Sequence, residues 1–114
     1  MKTPQIREDF LRDTRYPVHR IVERLRNELD PLKNYLFGSQ ASGTASEEDS
    51  DIDICIVVPD DSEHAFKKSV RAYKSLRDLK LPKDILVRHK SRFEERATWL
   101  NSLEREIAER GTVL

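Results

Sequence analysis

The stretch FGSQASGTASEEDSDIDICIVV, residues 37–58, joins a segment of small residues to an apolar strand. Its last eight residues, DIDICIVV, are rich in β-branched residues after the opening acids, which predicts a strand buried on both faces. Asp51 and Asp53 lie at the start of that strand with one isoleucine between them. Side chains at positions i and i+2 of a strand point to the same face, so the two carboxylates are expected to project together. Like charges held that close repel each other unless a cation lies between them.

Length and composition predict one domain with a modest core. The chain has 114 residues, of which 37% are hydrophobic and 37% are charged. A single domain over residues 1–114 is expected, with the polar residues 1–16 as a loose arm or a short helix. Lys+Arg and Asp+Glu both number 21, so the chain lacks the basic excess typical of general nucleic-acid binders.

The same composition favours a cytoplasmic location. Cys55 is the one cysteine, so nothing indicates an oxidising compartment. The N-terminal residues contain no apolar core of signal-peptide length, and no apolar run approaches the length of a membrane span. We therefore expect a soluble cytoplasmic protein that does not associate with membranes.

Periodicity predicts alternating helices and strands. The apolar stripe Val18, Ile21, Val22, Leu25 and Leu29 indicates a helix over residues 17–29, ended by Asp30-Pro31. Strands are predicted over residues 32–37, 51–58 and 84–88, and a short one over residues 112–114. The resulting order predicts an α/β fold with one sheet of about four strands covered by helices.

Two further helices are predicted with capping boxes at their starts. Asp60 with Glu63 would cap the first, and Ser91 with Glu94 the second. The first helix is expected to run to about residue 79 and the second to end at Gly111 as its C-cap. Their predicted inner faces are as follows: Phe66, Val70, Tyr73 and Leu76 for the first helix, and Phe93, Ala97, Leu100, Leu103 and Ile107 for the second.

The acids and the glycine-serine turn together predict a site for a metal-bound triphosphate. Mg²⁺ binds through a few carboxylates plus substrate phosphates, and a pair of such ions aligns an attacking and a leaving oxygen. Asp84 opens the DILV strand and would supply a third carboxylate if the two strands are adjacent. Gly38 allows close backbone approach to a phosphate, and Ser39 offers a hydroxyl and an amide as donors.

This constellation resembles the signature of the polymerase-beta-like nucleotidyltransferase superfamily, and more narrowly the minimal nucleotidyltransferases. Their usual string reads GSxARG…SDxDL, and here it reads GSQASG from Gly38 and SDIDI from Ser50. The resemblance covers residues 18–114 and implies a small mixed sheet packed by helices. It implies that Asp51, Asp53 and Asp84 are catalytic ligands of two Mg²⁺ ions, and that Gly38, Ser39 and Ser50 bind ATP. Ser42 stands where the family often has arginine.

The resemblance also implies a reaction and a partner. Minimal nucleotidyltransferases transfer a nucleoside monophosphate, here AMP from ATP, to a hydroxyl. In that family such proteins often act as antitoxins that add AMP to a tyrosine of a helical HEPN-type toxin. The alternative is a non-catalytic module that masks its partner, which Ser42 favours. A third hypothesis, ranked below both, is an antibiotic nucleotidyltransferase.

Several candidate residues also have purely structural interpretations. Asp51 and Asp53 would then be solvated acids at a strand start, and Gly38 and Ser39 only a tight turn. Asp84 would pair with Lys83 or Arg88. Cys55 is interpreted as a small buried hydrophobe and the three histidines as surface residues: His19, His64 and His89. Two groups of basic residues are interpreted as solvated faces. For the first group partner docking is the alternative: Lys67, Lys68, Arg71, Lys74 and Arg77. For the second group phosphate contact is the alternative: Arg88, Lys90 and Arg92.

Overall fold

One parallel and two antiparallel pairings build a four-stranded mixed sheet. The computed structural model describes residues 18–38, 52–80 and 83–114. Its strands are β1 (Lys33–Phe37), β2 (Ile52–Val58), β3 (Lys83–His89) and β4 (Thr112–Val113). Its helices are α1 (Val18–Leu29), α2 (Ala65–Ser75), α3 (Lys90–Arg96) and α4 (Leu103–Arg110). The sheet order is β3-β2-β1-β4, with β2 and β3 parallel, so the predicted α/β fold is confirmed.

Strand β2 is buried on both faces, as its composition predicts. Ile54 and Ile56 face a core that also contains the apolar stripe of α1. On the other face, Cys55 and Val57 pack with Tyr35 and with α3 and α4. Cys55 is fully buried, which confirms its interpretation as a buried hydrophobe, and burial raises the pKa of its thiol to about 12.

The inner face of α2 differs from the prediction. Phe66, Val70 and Tyr73 are exposed to solvent. The buried positions of this helix are Lys68 and Ala72, followed by Leu76 and Leu79 beyond its end. A buried lysine is costly unless it is paired, and Lys68 Nζ lies 2.6 Å from Asp61 Oδ2. That contact holds the pKa of Asp61 below its usual range and satisfies the ammonium group on the buried side of α2.

Both predicted capping boxes are wrong, because Asp60, predicted to cap the first helix, binds Ser91 at the start of the next one. Helix α2 begins after His64, which makes no side-chain cap, so neither Asp60 nor Glu63 has the predicted role there. Asp60 Oδ1 instead accepts hydrogen bonds from the backbone amide and the hydroxyl of Ser91, at 3.1 and 3.0 Å. Ser91 lies in the first turn of α3. Its backbone amide, which has no partner within the helix, donates to Asp60 from a distant part of the chain rather than to Glu94.

The last predicted helix is divided into α3 and α4. Asn101 has a left-handed φ of 63°, which a continuous helix does not contain. Ser102 then starts α4 by accepting a hydrogen bond from the Arg105 amide at 3.0 Å. Leu100 lies in the break and is exposed, and Leu103 is also exposed, so the predicted inner face is wrong at both; Phe93 and Ile107 are buried as predicted.

Gly111 ends α4 as predicted and connects it to β4. Its backbone amide donates to the Ile107 carbonyl at 2.8 Å, and its φ of −70° is accessible to any residue. Close packing explains the glycine, because an added Cβ would lie 2.6 Å from the Ile107 oxygen. None of the helices in the described ranges is long and apolar enough to cross a membrane.

We expect Asp60→Ala to lower the free energy of unfolding by about 1 kcal/mol, because the first turn of α3 loses its acceptor. Glu94→Ala is the matched control, since Glu94 belongs to the capping box predicted from sequence and is exposed. Urea unfolding of both variants measures the difference. A larger loss for Glu94→Ala than for Asp60→Ala would contradict the assignment of the cap to Asp60.

Candidate active site

The parallel register of β2 and β3 places two of the predicted acids side by side. Asp53 is paired directly with Asp84. Paired residues on neighbouring strands point to the same face, and neighbouring strands lie about 4.8 Å apart. Asp53 is half-buried and Asp84 is exposed, so the pair lies at the solvent boundary where both strands begin. The strand adjacency on which the predicted site depends is confirmed.

Gly38 lies against the carboxylate of Asp53. The antiparallel register of β1 and β2 pairs Phe37 with Asp53, so the next residue of β1 turns over that acid. Gly38 has a left-handed φ of 75°, and an added Cβ would lie 2.4 Å from Asp53 Oδ2. Both the conformation and the space therefore require glycine. The contact explains why this position is a glycine, and the role of Gly38 in phosphate binding stays a prediction.

Tyr73 joins the site, although the sequence pattern assigned it to the core. Its hydroxyl accepts a hydrogen bond from the Ile85 backbone amide at 2.9 Å and lies 3.4 Å from Asp84 Oδ1. The phenol thus satisfies an amide on the outer edge of β3 and contacts the catalytic candidate at the same time. No local signal predicts this contact, because it depends on the packing of α2 against β3.

The structural alternatives for the charged residues have mixed outcomes. Arg88 does not pair with Asp84, because its Nε lies 3.0 Å from Glu104 Oε2. The prediction of a solvated basic side on α2 is wrong for Lys68, which is buried, and confirmed for Lys67 and Lys74, which are exposed.

The surface interpretation of the histidines is confirmed for two of them. His19 and His64 are exposed. His89 is half-buried, and its Nε2 lies 2.9 Å from the Glu63 carbonyl oxygen, so the interpretation is wrong there.

The remaining predicted site residues lie outside the described residues. These are Ser39, Ser42, Ser50 and Asp51. Within the described ranges, no group of three acids, histidines or cysteines has the geometry to hold a metal ion. Of the three predicted metal ligands, the structure therefore describes Asp53 and Asp84 but not Asp51.

The donor set fits a hard divalent cation. Carboxylate oxygens are the ligands that Mg²⁺ prefers, and it commonly uses one or two of them with substrate phosphates. Two carboxylates on directly paired positions, with a glycine backbone against one of them, provide such donors. Structurally, this edge of the sheet is suited to reactions of phosphate esters.

Comparison with known protein families agrees with this geometry. The family model described as nucleotidyltransferase domain matches residues 18–114. The chain therefore belongs to the nucleotidyltransferase domain family, and its activity at the level of that family is nucleotidyl transfer. No curated protein matches the chain.

On the hypothesis that the site binds Mg²⁺-ATP, we expect Gly38→Ala to weaken that binding about tenfold or more, because the new Cβ displaces the Asp53 carboxylate. The left-handed backbone adds a stability loss of about 1–2 kcal/mol. Thermal unfolding with and without Mg²⁺-ATP measures both effects. Gly111→Ala is the control: its Cβ crowds the Ile107 carbonyl oxygen, which lies outside the site, so it is expected to lower the melting temperature and keep the ligand-induced shift. A full ligand-induced shift in Gly38→Ala would contradict the assigned role.

Proposed function

We propose that this protein transfers AMP from ATP to a hydroxyl on a partner protein. The single observation that carries the proposal is the direct pairing of Asp53 with Asp84, with Gly38 against Asp53. Membership of the nucleotidyltransferase family supports the reaction class. The choice of ATP and of a protein acceptor is the finer part of the proposal.

Each residue of the site has a chemical role in this proposal. Asp53 and Asp84, together with Asp51, would hold Mg²⁺, which supplies positive charge between the carboxylates and the triphosphate. Gly38 allows the backbone and the phosphates to approach each other. Ser39 and Ser50 are proposed to donate hydrogen bonds to the nucleotide.

The reaction forms a bond between the acceptor oxygen and the α-phosphorus and breaks the bond to the leaving pyrophosphate. Asp84 is the more exposed acid of the pair and is therefore the one that an incoming hydroxyl meets. We assign the acceptor proton to its carboxylate. The Tyr73 hydroxyl, 3.4 Å from Asp84 Oδ1, helps to orient that carboxylate for the transfer.

Exposed apolar side chains beside the site support a protein as the acceptor. Phe66 is 77% exposed, and Val70 and Tyr73 follow it at helical spacing on the same side of α2. We call these three residues the α2 stripe. Because Tyr73 also contacts Asp84, the stripe leads from open surface to the acids. Lys67 and Lys74 flank the stripe, so an apolar partner surface with acidic neighbours would complement it.

The resemblance to minimal nucleotidyltransferases suggests which partner to test. We propose a helical HEPN-type toxin, with this protein as its antitoxin in the cytoplasm. The rival function, masking without catalysis, is favoured by Ser42, which replaces an arginine of the family signature. A partner that is neutralised without being labelled would support masking.

Asp53→Asn and Asp84→Asn are each expected to reduce Mg²⁺-dependent labelling of the partner by radiolabelled ATP about a hundredfold or more. Both are isosteric changes at a solvent boundary, so the melting temperature should change little. Asp78→Asn is the matched control, because Asp78 is an exposed acid that pairs with Arg24 and lies outside the site. The acceptor in this assay is the protein encoded by the reading frame next to that of this chain, which we expect to be a small helical protein. Undiminished labelling by both site variants would reject the proposal.

The α2 stripe gives a second expected outcome. Phe66→Ala should reduce labelling of the partner about tenfold, because an exposed aromatic anchor is lost, and leave the melting temperature unchanged. Leu100→Ala is the matched control, since Leu100 is 81% exposed and belongs to the break between α3 and α4. Equal labelling rates for Phe66→Ala and Leu100→Ala would show that the acceptor does not contact the stripe.

A further inference from the structure

A cavity lined by basic residues lies at the opposite end of β3 from the acids. Its volume is about 530 Å³, within the range of small-molecule sites. The charged and titratable residues that line it are His64, Arg88, His89, Arg92, Arg96 and Glu104. Arg88 follows Asp84 by four residues of extended strand, about 13 Å at the usual rise per residue. The cavity is therefore separate from the candidate active site.

A single buried carboxylate orients two of the arginines. The Nε atoms of Arg88 and Arg96 lie 3.0 and 3.2 Å from the same Glu104 oxygen. The Glu104 side chain is only 4% exposed, so this contact is held inside the protein. Burial alone would raise the pKa of Glu104, but its backbone amide and the two guanidinium groups hold it below its ordinary value. Glu104 therefore remains charged and fixes both guanidinium groups at neutral pH.

The terminal amino groups of these arginines remain largely available. Arg88 Nη1 donates to the Val87 carbonyl at 3.0 Å. Among the residues that the structure describes, no acceptor is hydrogen-bonded to Nη2 of Arg88 or to either terminal nitrogen of Arg96. The Arg96 guanidinium carbon also lies 4.7 Å from the centroid of the Trp99 ring, a cation–π contact that holds the guanidinium plane. The two groups are thus restrained in orientation and keep free donors.

Arg92 adds a third guanidinium one helical turn before Arg96. It is exposed and makes no ion pair or hydrogen bond with any described part of the chain. The lining therefore contains three guanidinium groups against the one carboxylate of Glu104, an excess of positive charge. A structural role in joining α3 and α4 to β3 explains Arg88 and Arg96. It does not explain Arg92.

We infer that this cavity binds a phosphate group, free or as the monoester end of a small molecule, through Arg88, Arg92 and Arg96. Guanidinium groups donate paired hydrogen bonds that match phosphate oxygens. A phosphate has enough oxygens to accept from three arginines, whereas a carboxylate has two. The proposal does not depend on the proposed function, because none of the residues involved belongs to the acid pair.

Trp99 is the only tryptophan in the sequence and contacts Arg96, so its fluorescence reports on the cavity. The experiment titrates the full chain with inorganic phosphate and, separately, with AMP in the absence of Mg²⁺. A saturable change is expected with both ligands, and tighter binding of AMP would indicate a phosphomonoester rather than free phosphate. Arg92→Ala should weaken binding about tenfold or more without lowering the melting temperature, because one charge-assisted hydrogen bond is lost.

Two controls make the test specific. Lys90→Ala removes the same charge from α3 but from a residue that does not line the cavity, and it should bind as the unmodified protein does. Asp53→Asn should also bind normally, which separates this site from the candidate active site. The inference is overturned if Arg92→Ala binds as well as Lys90→Ala. It is also overturned if sodium chloride or acetate at matched ionic strength gives the same fluorescence change as phosphate.

Discussion

The in-register parallel pairing of β2 with β3 is the constraint on which the rest of the site depends. It places Asp53 opposite Asp84 at the edge where both strands begin. A shift of one residue would move one acid to the face covered by α1 and α2 and separate the pair. The antiparallel register of β1 then positions Gly38 over Asp53, with no space for a side chain. Two registers of one sheet thus bring together residues from three separate segments.

The core and the site share the same strands, and this explains where the acids lie. Strand β2 is apolar on both faces after its start, so a carboxylate further along would be buried without water or a partner. At the strand start the acids reach solvent while the following residues anchor the backbone. Tyr73 likewise combines a structural contact and a site contact, because its phenol accepts a hydrogen bond from an edge amide of β3 and also contacts Asp84.

Strand β3 separates charge along its length. Asp84 is near its start, and Arg88 is near its end, where it is bound by Glu104 rather than by the acid pair. The zero formal net charge of the whole chain is thus compatible with an acid pair, Asp53 and Asp84, at one end of the sheet and arginines at the other. The overall charge of the chain therefore gives little information about the local charge at either end of these strands.

The sequence by itself determined the helix α1, the doubly buried β2 and the order of elements up to α3, because apolar periodicity is a property of neighbouring residues. It also identified Asp53, Asp84 and Gly38 as candidates. Only the tertiary structure decided which side of α2 is buried and which group caps α3. Both depend on partners far along the chain, as in the Lys68–Asp61 and Ser91–Asp60 contacts. A local pattern cannot encode a distant partner, so the rotation of a helix and the neighbours of a carboxylate are fixed only when the elements pack.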